Sequence, residues 1–418
     1  MPPKKMISTA LIEQDHSSMQ HQLPYPLYGA IATKNELPFH IRNQNEAYDY
    51  FYLDLQATNI QSTLSIPTQL TFNNNRDVPY LGAPASNYEL SIVRFQLDTS
   101  TLPSFIPIIQ PNQPDVNKTI YSFTLSYEFG PTDYIQQTFV EWSPQNLAAA
   151  PPSLPYPYQD LSTGYYGCAN IQWFAILLQN TLNTCFSDLN TQVVAGGGTL
   201  PTTYPPVIVF DVVSDVFTIY SDQAGYDPNL MVSPIKIFFN APMYGLLESF
   251  VFTYLGTQSS LGRTYQLVVN SLNATNTTFL PTGTSDTTAV ISTQTSSTIN
   301  IWNPVESIVF TSNSLPISQT SILPPIILYE GQNIGQNPSN SNVQNIITSF
   351  QSPNQIYKPY ISYEPSVYRF ISLNGNEPLK MFSIQCYWRD FQGSFNPFLL
   401  GSAQSFSMLC MFKRRNSY

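Results

Sequence analysis

Apolar residues in this chain recur in short runs of period two, broken by turn residues and by 35 prolines, and one window alone keeps helical spacing. That pattern excludes βαβ units and helical bundles before composition is considered. About sixteen segments read as strands. They include Tyr48–Gln56, Tyr88–Leu97, Thr119–Phe129, Tyr134–Trp142, Val207–Phe210, Val216–Tyr220, Ile235–Asn240, Ser297–Trp302, Glu306–Ser312, Ile322–Tyr329, Lys380–Trp388 and Ala403–Phe412. Within one of them Tyr121, Phe123, Leu125 and Tyr127 share a face. Strands at this spacing predict β-sandwiches. The exception is Ala169–Leu189. Its apolar positions Ile171, Phe174, Leu177, Leu178, Leu182, Cys185 and Leu189 predict one amphipathic helix packed on a sheet.

Two stretches read as linkers: Leu147–Tyr158, stiff with four prolines, and Asn273–Ser296, rich in Thr and Ser. They bracket an inserted domain of about 159–296. The first 47 residues lack alternation and read as an extended arm. The loop Gly331–Asn345 is uncharged and expected on the surface.

The chemistry available is narrow. His16, His21 and His40 are the only histidines, all within the arm. The body therefore cannot assemble a triad or a histidine-bearing zinc site. Charged residues make up 10% of the chain and aromatic residues 14%. Surface polarity must come from Asn, Gln, Ser and Thr, which lose water at less cost than charges and suit protein–protein contact. Gly196–Gly198 is not followed by the Gly-Lys-Ser/Thr of a phosphate loop and reads as a flexible loop. Asp211, Asp215, Asp222 and Asp227 are the carboxylates that a glycosidase or a surface calcium site would draw on; turn roles explain them as well. Tyr165, Tyr166, Trp173 and the run Thr203–Val207 have the rings for stacking on sugars, and equally for a core. No catalytic, cofactor-binding or metal-binding residue is singled out.

Cys168, Cys185, Cys386 and Cys410 lie far apart and are expected as free buried thiols. No secretory apolar region follows the first residues, so the sequons at Asn117, Asn273 and Asn276 are read as chance. No apolar run reaches transmembrane length. The net charge of −10 argues against a nucleic-acid binder as a whole, while Lys4, Lys5, Lys413, Arg414 and Arg415 make both ends basic.

Several segments in order resemble one family. They are YELSIVRFQLDTSTLPSFIP (Tyr88–Pro107), YSFTLSYE (Tyr121–Glu128), FVEWSPQN (Phe139–Asn146) and the helix GCANIQWFAILLQNTLNTCF. IKIFFNAPMYGLLESF (Ile235–Phe250), IWNPVESIVFTSNSLPI (Ile301–Ile317), YRFISLNGNEPLKMFSIQCYWRDFQGSFNPFLLG and the closing MFKRR (Met411–Arg415) follow. Together they resemble the penton, or minor capsid, proteins of polinton-like viruses, adintoviruses and virophage-like elements. The resemblance implies an all-β fold, a jelly-roll sandwich with an additional β-rich domain and one helix. It divides the chain into an arm (1–47), a jelly-roll base (48–146 and 297–418) and an inserted β-rich domain (147–296). It implies a homopentamer at the five-fold vertices of an icosahedral virion, assembled in the host cytoplasm or nucleus. Expected partners are neighbouring major capsid proteins, the genome or an internal membrane at the basic termini, and a host receptor at the outer domain. Two alternatives stay open: a trimeric double-jelly-roll major capsid protein, and a receptor- or carbohydrate-binding β module.

Overall fold

The computed structural model describes residues 50–59, 68–111, 114–147, 149–152, 159–161, 163–256, 261–274, 289–317, 320–321, 344–351 and 360–415. The arm and the predicted strand Ile322–Tyr329 lie outside the described residues, as does all but the end of the loop Gly331–Asn345.

Chain ends and middle build separate cores. One sheet runs β1 (Tyr50–Thr58), β22 (Ser405–Arg414), β4 (Tyr88–Asp98) and β17 (Tyr360–Tyr363), with β18 (Ile371–Ser372) also on β4. A second runs β15 (Thr320–Ser321), β16 (Gln344–Gln351), β14 (Val305–Thr311), β19 (Met381–Asp390) and β20 (Phe395–Pro397), with β3 (Thr71–Asn75) also on β19. A short ladder joins β2 (Thr68–Gln69) to β21 (Leu399–Leu400). Alternate residues of the two large sheets fill one core, including Leu90, Phe95, Leu97, Ile308, Phe310, Phe382, Phe406 and Met408. Phe95 meets Phe310 at 5.2 Å and Phe350 at 4.7 Å between ring centroids.

Counting β1, β3, β4, β14, β16, β17/β18, β19 and β22 as strands one to eight, the sheets read 1-8-3-6 and 2-7-4-5. That order is a jelly roll. Everything from residue 99 to 304 is inserted between its third and fourth strands.

The insertion has its own two sheets. One orders β10 (Phe252–Tyr254), β11 (Tyr265–Leu267), β9 (Lys236–Phe239), β5 (Lys118–Phe129) and β6 (Thr132–Glu141). The other orders β12 (Asn270–Ala274), β13 (Ala289–Thr293), β8 (Val216–Asp222) and β7 (Val207–Asp211). Helix α1 (Ile171–Ala195) packs on β5, β6 and β7, burying Phe174, Leu178, Leu182, Cys185 and Leu189. The short helices α2 (Gln223–Tyr226) and α3 (Ala241–Leu246) follow β8 and β9. One core extends from Phe105 to Trp302.

Strand pairing thus groups residues differently from the sequence reading. β5 and β6, placed above in the base, bond to each other, β5 also bonds β9, and both belong to the second core. Pro151 and Pro152 lie within the insertion and not at its edge; nearby Ala149 is buried and its N–H bonds Asn146 O at 3.0 Å.

Four local expectations also change. Helix α1 is longer than Ala169–Leu189: Asn170 Oδ1 caps it by accepting from Gln172 N at 2.9 Å, and Val193 is buried one turn beyond Leu189. Gly196–Gly198 is its ordered C-cap, not a flexible loop. Gly198 N bonds Val193 O and Gly197 N bonds Val194 O, both at 2.9 Å, with Gly197 at φ +79°. Ile299–Trp302 is a 3-10 turn rather than a strand, because Ile299 and Trp302 are buried three apart while Ile301 is exposed. The Thr-rich stretch contains β13, whose Ala289 and Val290 are fully buried against β8.

Candidate assembly surfaces

The outer side of the second sheet carries little charge, whereas on the first sheet exposed Asp54 and Arg94 both lie opposite Leu409. On the second sheet, Ile308 and Phe310 point into the core, so their neighbours point out. There Val309 lies opposite Tyr387 and Ser349, Thr311 opposite Gln385, and Ser383 opposite Asn73; Val309, Thr311 and Ser383 are themselves buried, which leaves Asn73, Ser349, Gln385 and Tyr387 accessible. Ser383 Oγ donates to Ser314 Oγ at 2.9 Å, and Tyr387 OH to Gln385 Oε1 at 3.2 Å. Arg389 and Glu306 pair at 2.8 Å near β20. Amides, hydroxyls and a tyrosine ring can be buried against a partner without stranding an ion.

Charge is instead divided along the long axis. The insertion holds Lys118, Lys236 and Arg263 against twelve acidic residues, a net of −9 out of −10 for the chain. Two of its cations are paired, Lys236 with Glu128 and Arg263 with Asp133, each at 2.8 Å. The Lys236 ammonium holds the Glu128 carboxyl below its ordinary range.

Both described chain ends lie at the end of the roll away from the insertion. Tyr50 pairs with Lys413 across β1 and β22, and Arg415 N bonds Asn87 O at 2.7 Å. The other end of the roll carries the insertion, where the hydroxyl of Thr101 donates to Leu399 O and Ile106 and Leu161 touch both cores. The basic residues Lys413–Arg415 therefore close a paired strand and are not a tail. Lys413 Nζ lies 5.1 Å from the Phe370 ring centroid, and Arg415 Nε lies 3.6 Å from Glu89 Oε1.

The candidate catalytic acids are dispersed into turn roles. Asp211 Oδ1 accepts from Val213 N at 3.0 Å in the β7–β8 turn, where Asp215 takes φ +55°. Asp222 is buried, caps α2 through Ala224 N at 3.1 Å and accepts from the Thr202 hydroxyl. Buried Asp227 accepts from Asn229 N at 2.8 Å and Gln223 Nε2 at 3.2 Å. Among the described residues, no group of acidic, His or Cys side chains has the arrangement of a metal site.

The aromatic candidates are internal. Tyr165 OH donates to Asn117 Oδ1 at 2.7 Å, Tyr166 OH to Val116 O at 2.9 Å, and Trp173 Nε1 to Ser143 O at 2.8 Å. Burial pushes the Tyr166 hydroxyl up to about 12. In the run Thr203–Val207, Pro206 is buried and Tyr204, Pro205 and Val207 are half-buried. A groove of about 380 Å³ between β6 and α1 is lined by Asn117, Thr138, Glu141, Asn180, Thr181 and Thr184, with Glu141 its one carboxylate. It holds no acid pair. All four cysteines are free and buried.

The profile of the Sputnik minor capsid protein V18/19 family matches residues 51–414. The chain belongs to this family. One relative, the uncharacterized protein V18 of Sputnik virophage, is 31% identical over 118 residues, 26% of this chain and 67% of V18. A chain in the cryo-EM structure of the Sputnik virophage superposes with a TM-score of 0.67 at 23% identity, covering 88% of this chain and 98% of that one. The crystal structure of the mavirus penton protein superposes with a TM-score of 0.53 at 19% identity, covering 88% and 99%. The fold is thus shared with virion proteins, and the minor capsid family gives this member a structural role in the shell. Among the described residues the strand orders form one jelly roll. The insertion's strand orders, 10-11-9-5-6 and 12-13-8-7, follow neither sheet of a jelly roll, which removes the double-roll major capsid alternative.

Proposed function

We propose that this minor capsid protein is the penton of an icosahedral virion, a homopentamer at each five-fold vertex. The observation that carries the reading is the family match joined to one jelly roll whose second sheet carries little charge on its outer side. Five copies closing a ring use heterologous contacts, one face of each roll against a different face of the next. The uncharged, partly exposed side chains of Ser349, Gln385 and Tyr387 suit that contact. The fold shared with the mavirus penton protein agrees with it.

In this orientation the acidic insertion faces outward, where a host receptor would meet it. The chain ends face inward, toward the genome or an internal membrane. The outer flanks of the ring meet neighbouring major capsid proteins. The rings of Tyr165, Tyr166 and Trp173 are committed to internal bonds, so an outer-domain receptor contact would use other residues.

Native mass of the purified protein at several concentrations tests the reading. With 47.0 kDa per chain, a closed five-fold ring gives about 235 kDa. A stable species of about 141 kDa, three chains, would overturn it.

A further inference from the structure

We infer that the end of the jelly roll opposite the insertion is a nucleic-acid-binding pole, built from six cations that the fold gathers from four separate stretches. Arg76 leaves β3 there and its N–H bonds Lys380 O at 3.0 Å, which places the two side by side. The loop after β3 then runs beside the loop before β19: Tyr80 N bonds Leu379 O at 2.7 Å, Ala85 N bonds Glu377 O at 3.0 Å and Ser86 N bonds Gly375 O at 2.9 Å. These two loops cap the sandwich and join its sheets. On the other sheet, Lys413 and Ser372 both lie opposite Glu89, which brings Lys413–Arg415 beside the segment carrying Arg369.

Arg76, Arg369, Lys380 and Arg414 are exposed, and Lys413 and Arg415 are half-exposed. Among the described residues three acids share this end, Asp77, Glu89 and Glu377, and Glu89 lies against Arg415. The end is therefore positive on a chain of net charge −10. Four of the six cations are arginines, whose planar forks match phosphate oxygens. Tyr368 and Phe370, 39% and 37% exposed, flank Arg369, and Tyr50 is 42% exposed at the start of β1. Cations interleaved with exposed rings form the platform that holds a phosphate backbone and stacks on bases. A lipid surface is the poorer fit, since no α-helix among the described residues lies at this end to present an apolar face. The acidic insertion at the other end repels a polyanion and fixes which end it approaches.

The proposal deepens the penton reading by naming what the inward end meets, yet its test does not need a ring. Full-length protein is titrated into fluorescein-labelled 30-nucleotide single-stranded and duplex DNA, and anisotropy is read at 50 and 200 mM NaCl. Neutralising about four phosphates predicts a roughly hundredfold loss of affinity over that range. The double variant Arg369→Ser, Arg414→Ser should lower the salt slope by about two and weaken binding about tenfold or more at 100 mM. Arg76→Ser with Lys380→Ser, on the other sheet, is the second variant should the first lose its cooperative melt. Lys236→Ser with Arg263→Ser on the insertion should bind like wild type. Absence of DNA binding by the full chain, wild-type binding by a folded pole variant, or binding to vesicles with 30% phosphatidylserine in preference to DNA would each overturn the assignment. Native mass on the same samples separates the two claims. A pentamer that ignores DNA refutes the pole alone, and a trimer that binds DNA through it refutes the penton alone.

Discussion

Trp302→Ala should unfold the insertion early and leave the roll intact. Trp302 sits at the seam where the chain returns from the insertion to β14, yet it belongs to the insertion's core. Its ring centroid lies 5.4 Å from Phe105, 5.8 Å from Phe174 and 5.7 Å from Phe217, and its Nε1 donates to Leu246 O at 2.9 Å. Leu246 O keeps a second donor, Thr298 Oγ1 at 2.7 Å, so no acceptor is stranded and the loss is one of packing. Truncating a buried aromatic of this size costs about 3–5 kcal/mol. At about 2–4 °C per kcal/mol for a unit near 200 residues, the transition of the insertion falls by about 10 °C. The reciprocal variant, Phe310→Ala, removes rings at 5.2, 5.9 and 5.9 Å from Phe95, Phe350 and Phe406 and should lower the transition of the roll by a similar amount. Differential scanning calorimetry of both variants, with native mass below the first transition, makes the comparison. A single transition shifted equally by either variant would refute the two-core reasoning. It would mean that the shared contacts through Ile106 and Leu161 bind the units into one cooperative block.

Other consequences are simpler to test. Burial pushes the Cys168 thiol up to about 12 and that of Cys185 to about 11, and raises Cys386 and Cys410 as well. A soluble disulfide reagent should therefore release almost no thiolate from native protein and four equivalents in denaturant; rapid native labelling would contradict the burial. Asp222→Ala removes the α2 cap and strands the Thr202 hydroxyl, at a cost of about 1–3 kcal/mol in urea melts, whereas exposed Asp211→Ala costs less than about 1. Deleting residues 1–47 should leave the melt of both cores unchanged while weakening capsid incorporation; a collapsed melt would show that the arm completes a core. A peptide epitope inserted between Val212 and Val213, which are 57% and 89% exposed, should be antibody-accessible on intact particles, and one at the C-terminus should not.

The strands that alternate in sequence were legible, since apolar and polar residues take turns along much of β4, β5 and β19. What escaped was decided by partners rather than by local pattern. TFNNN of β3 has one apolar side chain, Phe72, and becomes a strand because β19 offers an unpaired edge from Met381 to Gln385. AVIST of β13 lies in a stretch that reads as a Thr-rich linker until β8 pairs with it. The start of the insertion was misplaced because prolines report where a chain turns, not which sheet it turns back to. β5 and β9 find each other across more than a hundred residues, a choice that no window contains. The assembly surface was half legible. Poverty of charge announced a neutral face, but the gathering of Arg76, Arg369, Lys380 and Arg414 at one pole depends on the jelly-roll path.

That path explains why the charge divides as it does. A strand of a jelly roll crosses the sandwich from one end to the other, and successive strands alternate direction. The chain enters at the pole with Tyr50, crosses once along β1, returns along β3 and crosses again along β4. After three crossings it stands at the far end, and the insertion begins there. Five strands remain, again an odd number, so the chain must finish at the pole, as Arg415 does beside Asn87. An insertion after an even number of strands would have shared the end with the termini and placed its net −9 against the basic cluster. Parity of strand count thus keeps an acidic lobe and a basic pole a full roll apart. The second sheet's side of the roll is thereby left with little charge for the neighbours that a shell requires.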